Sequence, residues 1–270
     1  MIGREIILEE GNSIKVIEGT RTIQKVESED YNEKLWKHKD AITKVVFQNQ
    51  KQSVGTVSYS YDISDVSDGS VMAYLVRNND SSTYTAYIQA EDRIYTNVNS
   101  VGLFYDFTKL ESIEGIEYLD TAQTESMALM FGNCSSLKTL DISHFDTSKV
   151  TNLGSMFSGC TSLETLDLGG IDTSQVIYMS AMFMGCSNLT TLDLSSFNTE
   201  KVIDMGTMFL GCSSLTSLDF RNATFTSVTN YDYMLYDVPS TIQITVKDAT
   251  EQAWLQEQLG SGNGNFVIAS

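Results

Sequence analysis

Apolar residues return to the same phase every 26 positions through the second half of the chain. Met-Phe pairs stand at Met130-Phe131, Met156-Phe157, Met182-Phe183 and Met208-Phe209. In step with them run Cys134, Cys160, Cys186 and Cys212, then Leu137, Leu163, Leu189 and Leu215, then Leu140, Leu166, Leu192 and Leu218. Ile142, Leu168, Leu194 and Phe220 complete an L-x-x-L-x-L core, and Val150, Val176, Val202 and Val228 close each unit. The alternation at the end of that core predicts a half-buried strand. The following stretch, FDTSKVTNLGSMF, predicts a short helix. Asp146, Thr147 and Ser148 are N-cap types, Val150, Leu153, Met156 and Phe157 fall on one helical face, and Gly159, Gly185 and Gly211 suit C-terminal caps.

One such strand-turn-helix unit cannot bury its apolar face alone, whereas stacked units can. The predicted fold is therefore α/β: a leucine-rich-repeat solenoid of 26-residue repeats over residues 103–247, with a parallel β-sheet on one side and short helices on the other. Weaker copies extend the pattern. Phe107 takes the cysteine position upstream, Val238 takes it downstream, and Ile244 and Val246 take strand positions. The ITKVVF run at Ile42 to Phe47 has the spacing of a strand that begins the stack. Residues 1–102 read as a β-rich N-terminal cap, with strands or a loose cap over 1–35 and antiparallel β over 55–98 that covers the first edge. Residues 248–270 read as a C-terminal cap. There, Asp248 and Glu251 form a capping box, Ala253, Trp254, Leu255 and Leu259 form a buried helix face, Gly260 stops the helix, and NFVIAS supplies a last strand.

Charge narrows the function classes. The formal net charge is -18, and residues 101–270 hold 20 acidic against 6 basic residues. Such a surface is repelled by phosphate backbones and anionic lipid, so nucleic-acid and membrane-surface partners are not expected. No apolar run approaches the roughly 20 residues of a membrane span, so membrane insertion is not expected either. The start, MIGREIILEEGNS, lacks the features of an export signal, which leaves retention inside the cell or a leader lost from this stretch as the two expectations.

Standard catalytic motifs are absent, and only His38 and His144 could serve a nucleophile as base. His144 stands where other copies carry Gly170, Ser196 and Asn222, so it reads as a surface position. DISDVSDG has the wrong spacing for a calcium loop and reads as a polar turn. No enzyme activity, cofactor or metal is expected.

Each cysteine follows the turn and precedes the first core leucine by three residues, an inward-facing slot that Phe107 and Val238 fill elsewhere. Four stacked cysteines span about 15 Å, too far for one tetrahedral zinc with bonds of about 2.3 Å. Neighbouring cysteines about 5 Å apart stay within disulfide range, although parallel side chains in a ladder rarely have the required dihedral. Packing is the expected role, with crosslinks the alternative.

In L-x-x-L-D-L the residues between the leucines face outward. This puts Asp141, Asp167, Asp193 and Asp219 in one column, Thr139, Thr165, Thr191 and Ser217 in a second, and Ser143, Gly169, Ser195 and Arg221 in a third. Four like charges about 4.8 Å apart need compensation: the threonine hydroxyls can supply hydrogen bonds, and water, cations or a basic partner the rest. Two readings stand: a solvated face copied along with the repeat, or an acidic, hydroxyl-rich strip that docks a basic or hydrogen-bonding ligand.

GCSSLTSLDF, GCSNLTTLDLSSFNTEKV and GCTSLETLDLGGIDTSQV resemble the BspA-type leucine-rich-repeat proteins of bacterial surfaces. So do DGSVMAYLV, SSTYTAYIQ, LESIEGIEYLDT and TIQITVKDATEQAWLQEQL, so the resemblance covers about residues 40–259. It implies display at the bacterial surface or secretion and non-catalytic adhesion by a monomer. The implied ligand is a protein or glycan, such as a host extracellular-matrix protein (fibronectin and fibrinogen for some members). An intracellular protein-interaction scaffold and a carbohydrate- or peptide-acting hydrolase are the other readings.

Overall fold

The computed structural model describes residues 6–9, 13–16, 21–24, 34–65, 67, 69–80, 82–259 and 264–269. The protein is mixed α/β and rich in sheet, with parallel pairing through its repeats. β1 (Ile6–Glu9) and β2 (Ser13–Val16) pair antiparallel, strands in the region read as strands or a loose cap. A short 3-10 helix, Trp36–Ala41, leads into β3 (Ile42–Gln48). β4 (Val57–Asp62), β5 (Met72–Arg77) and β6 (Tyr84–Gln89) form an antiparallel meander. β6 then pairs in parallel with β3, and β3 with β8 (Ser112–Glu114), while the short β7 (Ile94–Tyr95) pairs with β9 (Leu119–Asp120). The ITKVVF run does form a strand, β3, which lies inside a five-stranded sheet between β6 and β8. The antiparallel block occupies that strand's free edge by pairing β6 with it, which continues the sheet and moves the outer edge to β4.

Beyond β8 the chain advances in 26-residue coils. β10 (Thr139–Asp141) pairs in parallel with β11 (Thr165–Asp167), leucine against leucine and aspartate against aspartate. β12 (Thr191–Asp193) pairs likewise with β13 (Ser217–Phe220), then β14 (Gln243–Val246) and finally β15 (Asn265–Ile268). The strands run in parallel because each coil brings the chain back in the same direction, which places identical residues side by side.

The opposite side departs from the sequence reading. No α-helix forms in any repeat, and a 3-10 turn, Ile116–Tyr118, stands in the first of them; α1 (Ala249–Leu259) is the only α-helix among the described residues. A second parallel ladder replaces the helices, with bridges linking Asn99, Ser126, Asn152, Tyr178, Asp204 and Asn230 in order. Along this segment alternate amides take different partners. Leu153, Ser155, Phe157 and Gly159 donate forward to the carbonyls of Tyr178, Ser180, Met182 and Met184 in the next coil. Met156, Ser158 and Cys160 donate back three residues within their own coil, to Leu153, Ser155 and Phe157. From Leu153 to Cys160 every amide is thus satisfied without a helix, Gly154 through the Asn152 side chain at 2.8 Å. The zigzag needs two left-handed residues per coil: Ser155 and Gly159 (φ 58° and 75°), then Ala181 and Gly185 (55° and 74°), then Thr207 and Gly211 (54° and 76°). The inward residues Val150, Leu153, Met156 and Phe157 are buried, so the helical spacing marks the correct face of the wrong backbone.

Three buried columns hold the coils together. Phe104, Phe131, Phe157, Phe183 and Phe209 stack face to face, with centroids 5.6, 5.8, 5.9 and 5.7 Å apart. Behind the Asp-Thr pairs, each threonine hydroxyl clamps the next coil. Thr147 Oγ1 donates to the Asp172 carbonyl at 2.9 Å and accepts the Asp172 amide at 2.8 Å, and Thr173 does the same with Asn198. Asp146 accepts the Ser148 amide in a local turn, so the residues read as helix caps serve as turn formers and inter-coil clamps.

The cysteines make the third column. Each thiol donates to the carbonyl of the phenylalanine one coil back: Cys134 to Phe104, Cys160 to Phe131, Cys186 to Phe157 and Cys212 to Phe183, at 3.2, 3.1, 3.2 and 3.1 Å. All four are free and buried. Burial pushes every thiol up, to about 12 for Cys160 and Cys212. The thiolate is the reactive form, so native thiols resist alkylation at neutral pH. We expect iodoacetamide to leave the native protein unmodified and to label four thiols per chain after unfolding without reductant. Intact-mass measurement reads the outcome, and fewer than four labels would indicate crosslinks.

At the C-terminal end, Asp248 accepts the Thr250 and Glu251 amides at 2.8 and 3.2 Å, the predicted N-cap. The reciprocal half of the capping box is missing. Glu251 is buried and instead accepts the Phe225 amide at 3.1 Å, filling the place that a clamp threonine takes in earlier coils. Leu255 is buried and Trp254 stacks on Phe225 at 4.9 Å, whereas Ala253 faces solvent, because the helix docks through Trp254. Gly260 and the Leu259 side chain lie outside the described residues.

Candidate functional site

The predicted columns sit on the strand side. Thr139, Asp141, Thr165, Asp167, Thr191 and Asp193 line one shallow depression of about 460 Å³, floored by Leu140 and Leu166. The depression spans β10, β11 and β12. No ladder joins β11 to β12, and Leu166 is only half-buried although its counterparts Leu140, Leu192 and Leu218 are buried. The sheet therefore opens at the centre of the acidic column, leaving an apolar floor between the threonine and aspartate columns.

The carboxylates are braced by their own turns. Asp141 accepts the Ser143 amide and hydroxyl at 3.0 and 2.7 Å. Asp167 accepts the Gly169 amide at 2.9 Å and Asp193 the Ser195 amide at 2.8 Å. The Ser143 amide and hydroxyl hold the Asp141 carboxyl below the ordinary range, and the Ser195 hydroxyl and amide do so for Asp193. Bonds to the charged form favour it, so Asp141 and Asp193 stay anionic at neutral pH. This corrects the expected compensation: it comes from the Ser143 and Ser195 column and its backbone. Among the described residues, the Thr139, Thr165 and Thr191 side chains make no hydrogen bond and are exposed, so their hydroxyls are available to a ligand.

Not all predicted residues join the depression. Ser143 and Ser195 stand behind the carboxylates as braces. Ser217, Asp219 and Arg221 lie beyond it, and Arg221 forms a two-toothed ion pair with Asp219 that neutralises the end of the column. Cys134, Cys160, Cys186 and Cys212 are buried in the stack and take no part. His144 is exposed, with its Nε2 2.9 Å from the Ile116 carbonyl. The apolar floor at Leu166 escaped sequence reading, because nothing in its repeat position sets it apart.

Among the described residues, no three His, Cys, Asp or Glu side chains gather to hold a metal ion, and no helix is long and apolar enough to cross a membrane. The molecule is thus a sheet-rich, mixed α/β protein with parallel sheets, presenting a hydroxyl-lined depression rimmed by aspartates. The chain belongs to the family described as Mycoplasma protein of unknown function, DUF285, whose model matches residues 96–216 and 125–249 and so spans more than half of it. No curated protein and no solved structure matches the chain.

Proposed function

We propose that the chain is a leucine-rich-repeat solenoid of the BspA-like kind. It acts as a non-catalytic adhesion module at a bacterial surface and captures a protein or glycan through the strand-side depression. The carrying observation is the union of Asp141, Asp167 and Asp193 with three unengaged threonine hydroxyls around one apolar floor. Carboxylates already braced by backbone need no reorganisation when a basic or hydroxyl-bearing ligand arrives, so little binding free energy is lost in ordering them. The bacterial location rests on the family and on the repeat motif alone.

Asp167→Lys combined with Asp193→Lys reverses the charge at the centre of the strip. Both side chains are exposed, so the fold should persist. On an array of matrix proteins and glycans, the double variant should lose capture by about a hundredfold or more, as expected when attractive contacts become repulsive. Equal capture by a variant with unchanged thermal unfolding would overturn the reading.

A further inference from the structure

On the turn side, each coil covers the one before it. Met179, Ala181, Phe183 and Gly185 donate their amides to the carbonyls of Asp204, Gly206, Met208 and Leu210 at 2.7–2.9 Å, and the next coil repeats the pattern with Asn230, Asp232, Met234 and Tyr236. The corresponding amides of the last coil belong to Tyr231, Tyr233, Leu235 and Asp237, and none has a partner among the described residues. α1 packs across β14 and β15, and its Trp254 reaches Tyr231 edge-on at 5.4 Å; among the described residues no backbone group pairs with the rest of this edge. A cleft of about 350 Å³ lies there, bounded by Leu235, Val238 and Ile242 and flanked by Tyr233 and Tyr236, which are 66% and 62% exposed. Asp232 and Asp237 are exposed beside it.

We infer that this edge binds an extended, basic peptide segment of a partner protein by strand addition. Amides two residues apart match the carbonyl spacing of an extended chain, which is the mode in which peptides add to open ladder edges. The cleft takes one apolar side chain, and the two tyrosines supply large, weakly restrained contact surfaces. Charge selects the partner: Asp232 and Asp237, on a chain of net charge -18, favour lysine and arginine and oppose a second copy of this acidic chain.

The chain itself supplies a probe. A fluorescein-labelled peptide of residues 202–211, flanked by two lysines at each end, carries the carbonyl spacing that covers each earlier coil. We expect saturable binding by anisotropy, about tenfold tighter than for the same peptide flanked by glutamates. Tyr233→Ala with Tyr236→Ala, and separately Asp232→Asn with Asp237→Asn, should each weaken it by about tenfold. Asparagine tolerates the left-handed backbone at Asp237 (φ 61°). Hydrogen exchange should slow at the Tyr233, Leu235 and Asp237 amides when the peptide is added. Asp167→Lys with Asp193→Lys should bind the peptide normally, which separates this edge from the strand-side depression. Absence of protection at those amides, or binding indifferent to both pairs of substitutions, would overturn the inference. So would self-association of the free protein that the tyrosine substitutions abolish, since that would assign the edge to a second copy.

Discussion

Phe183→Ala will destabilise the protein by about 3–5 kcal/mol, the range for removing a fully buried ring from a packed core. Phe183 is fully buried and stacks at 5.9 Å on Phe157 and 5.7 Å on Phe209, so its loss interrupts the column at both faces. Each ring pair adds about 0.5–1.5 kcal/mol beyond burial. A loss of this size is a large part of the 5–15 kcal/mol that usually separates folded from unfolded chains. Urea denaturation will show a lower midpoint with little change in slope. Phe183→Leu should cost less, about 1–2 kcal/mol, since leucine retains most of the volume and already fills this slot in the last coil as Leu235. Equal costs for the two variants would remove the ring column from the account of stability.

The second large effect is alkaline. Cys160 and Cys212 ionise near 9.0 when solvated and near 12 in the stack, because burial disfavours the thiolate. The folded state holds the proton more tightly. Its advantage is therefore complete below about pH 9 and is lost as pH rises toward about 12. Together these two thiols should remove about 5 kcal/mol of stability by about pH 11, with Cys134 and Cys186 acting in the same direction. Cys160→Ser with Cys212→Ser keeps a donor for the Phe131 and Phe183 carbonyls and removes the ionisable groups. Urea midpoints at about pH 8 and pH 11 should fall steeply for the parent and less for this variant. Parallel declines would show that the thiols do not govern alkaline unfolding.

The sequence carried the period, the strand register and the cysteine slot, because stacking places residue i beside residue i+26 and equivalent sites must accept equivalent groups. It misled on the turn side. Val150, Leu153, Met156 and Phe157 point inward at helical spacing, yet a zigzag with two left-handed residues per coil produces the same inward set. Half of the clue was visible: the second left-handed slot holds Asp106, Asn133, Gly159, Gly185, Gly211 and Asp237, all types that tolerate positive φ. The first slot holds Gly102 and then Leu129, Ser155, Ala181, Thr207 and Tyr233, the last five with side chains that give no such signal. At the candidate site, the positions of the aspartates and threonines were legible from alternation. The opening between β11 and β12 was not, because Leu166 is the same residue as its neighbours in the column and differs only in how the backbone around it packs.

The amides of the second ladder have an electrical consequence. In each of the coils from Met127 to Gly211, four inter-coil amides on this side donate forward and one or two donate backward, such as Thr151, or Ile177 with Tyr178. Ordinary sheets nearly cancel their peptide dipoles because the groups alternate in direction. Here most of them add along the stack, much as they do in a helix. The side built without helices thus acquires a macrodipole of its own, positive toward the last coil, where the exposed Asp232 and Asp237 offset it, and negative at the first coil. At that negative pole the chain places a hydrogen donor, the buried Trp36 indole, 2.8 Å from the Leu103 carbonyl.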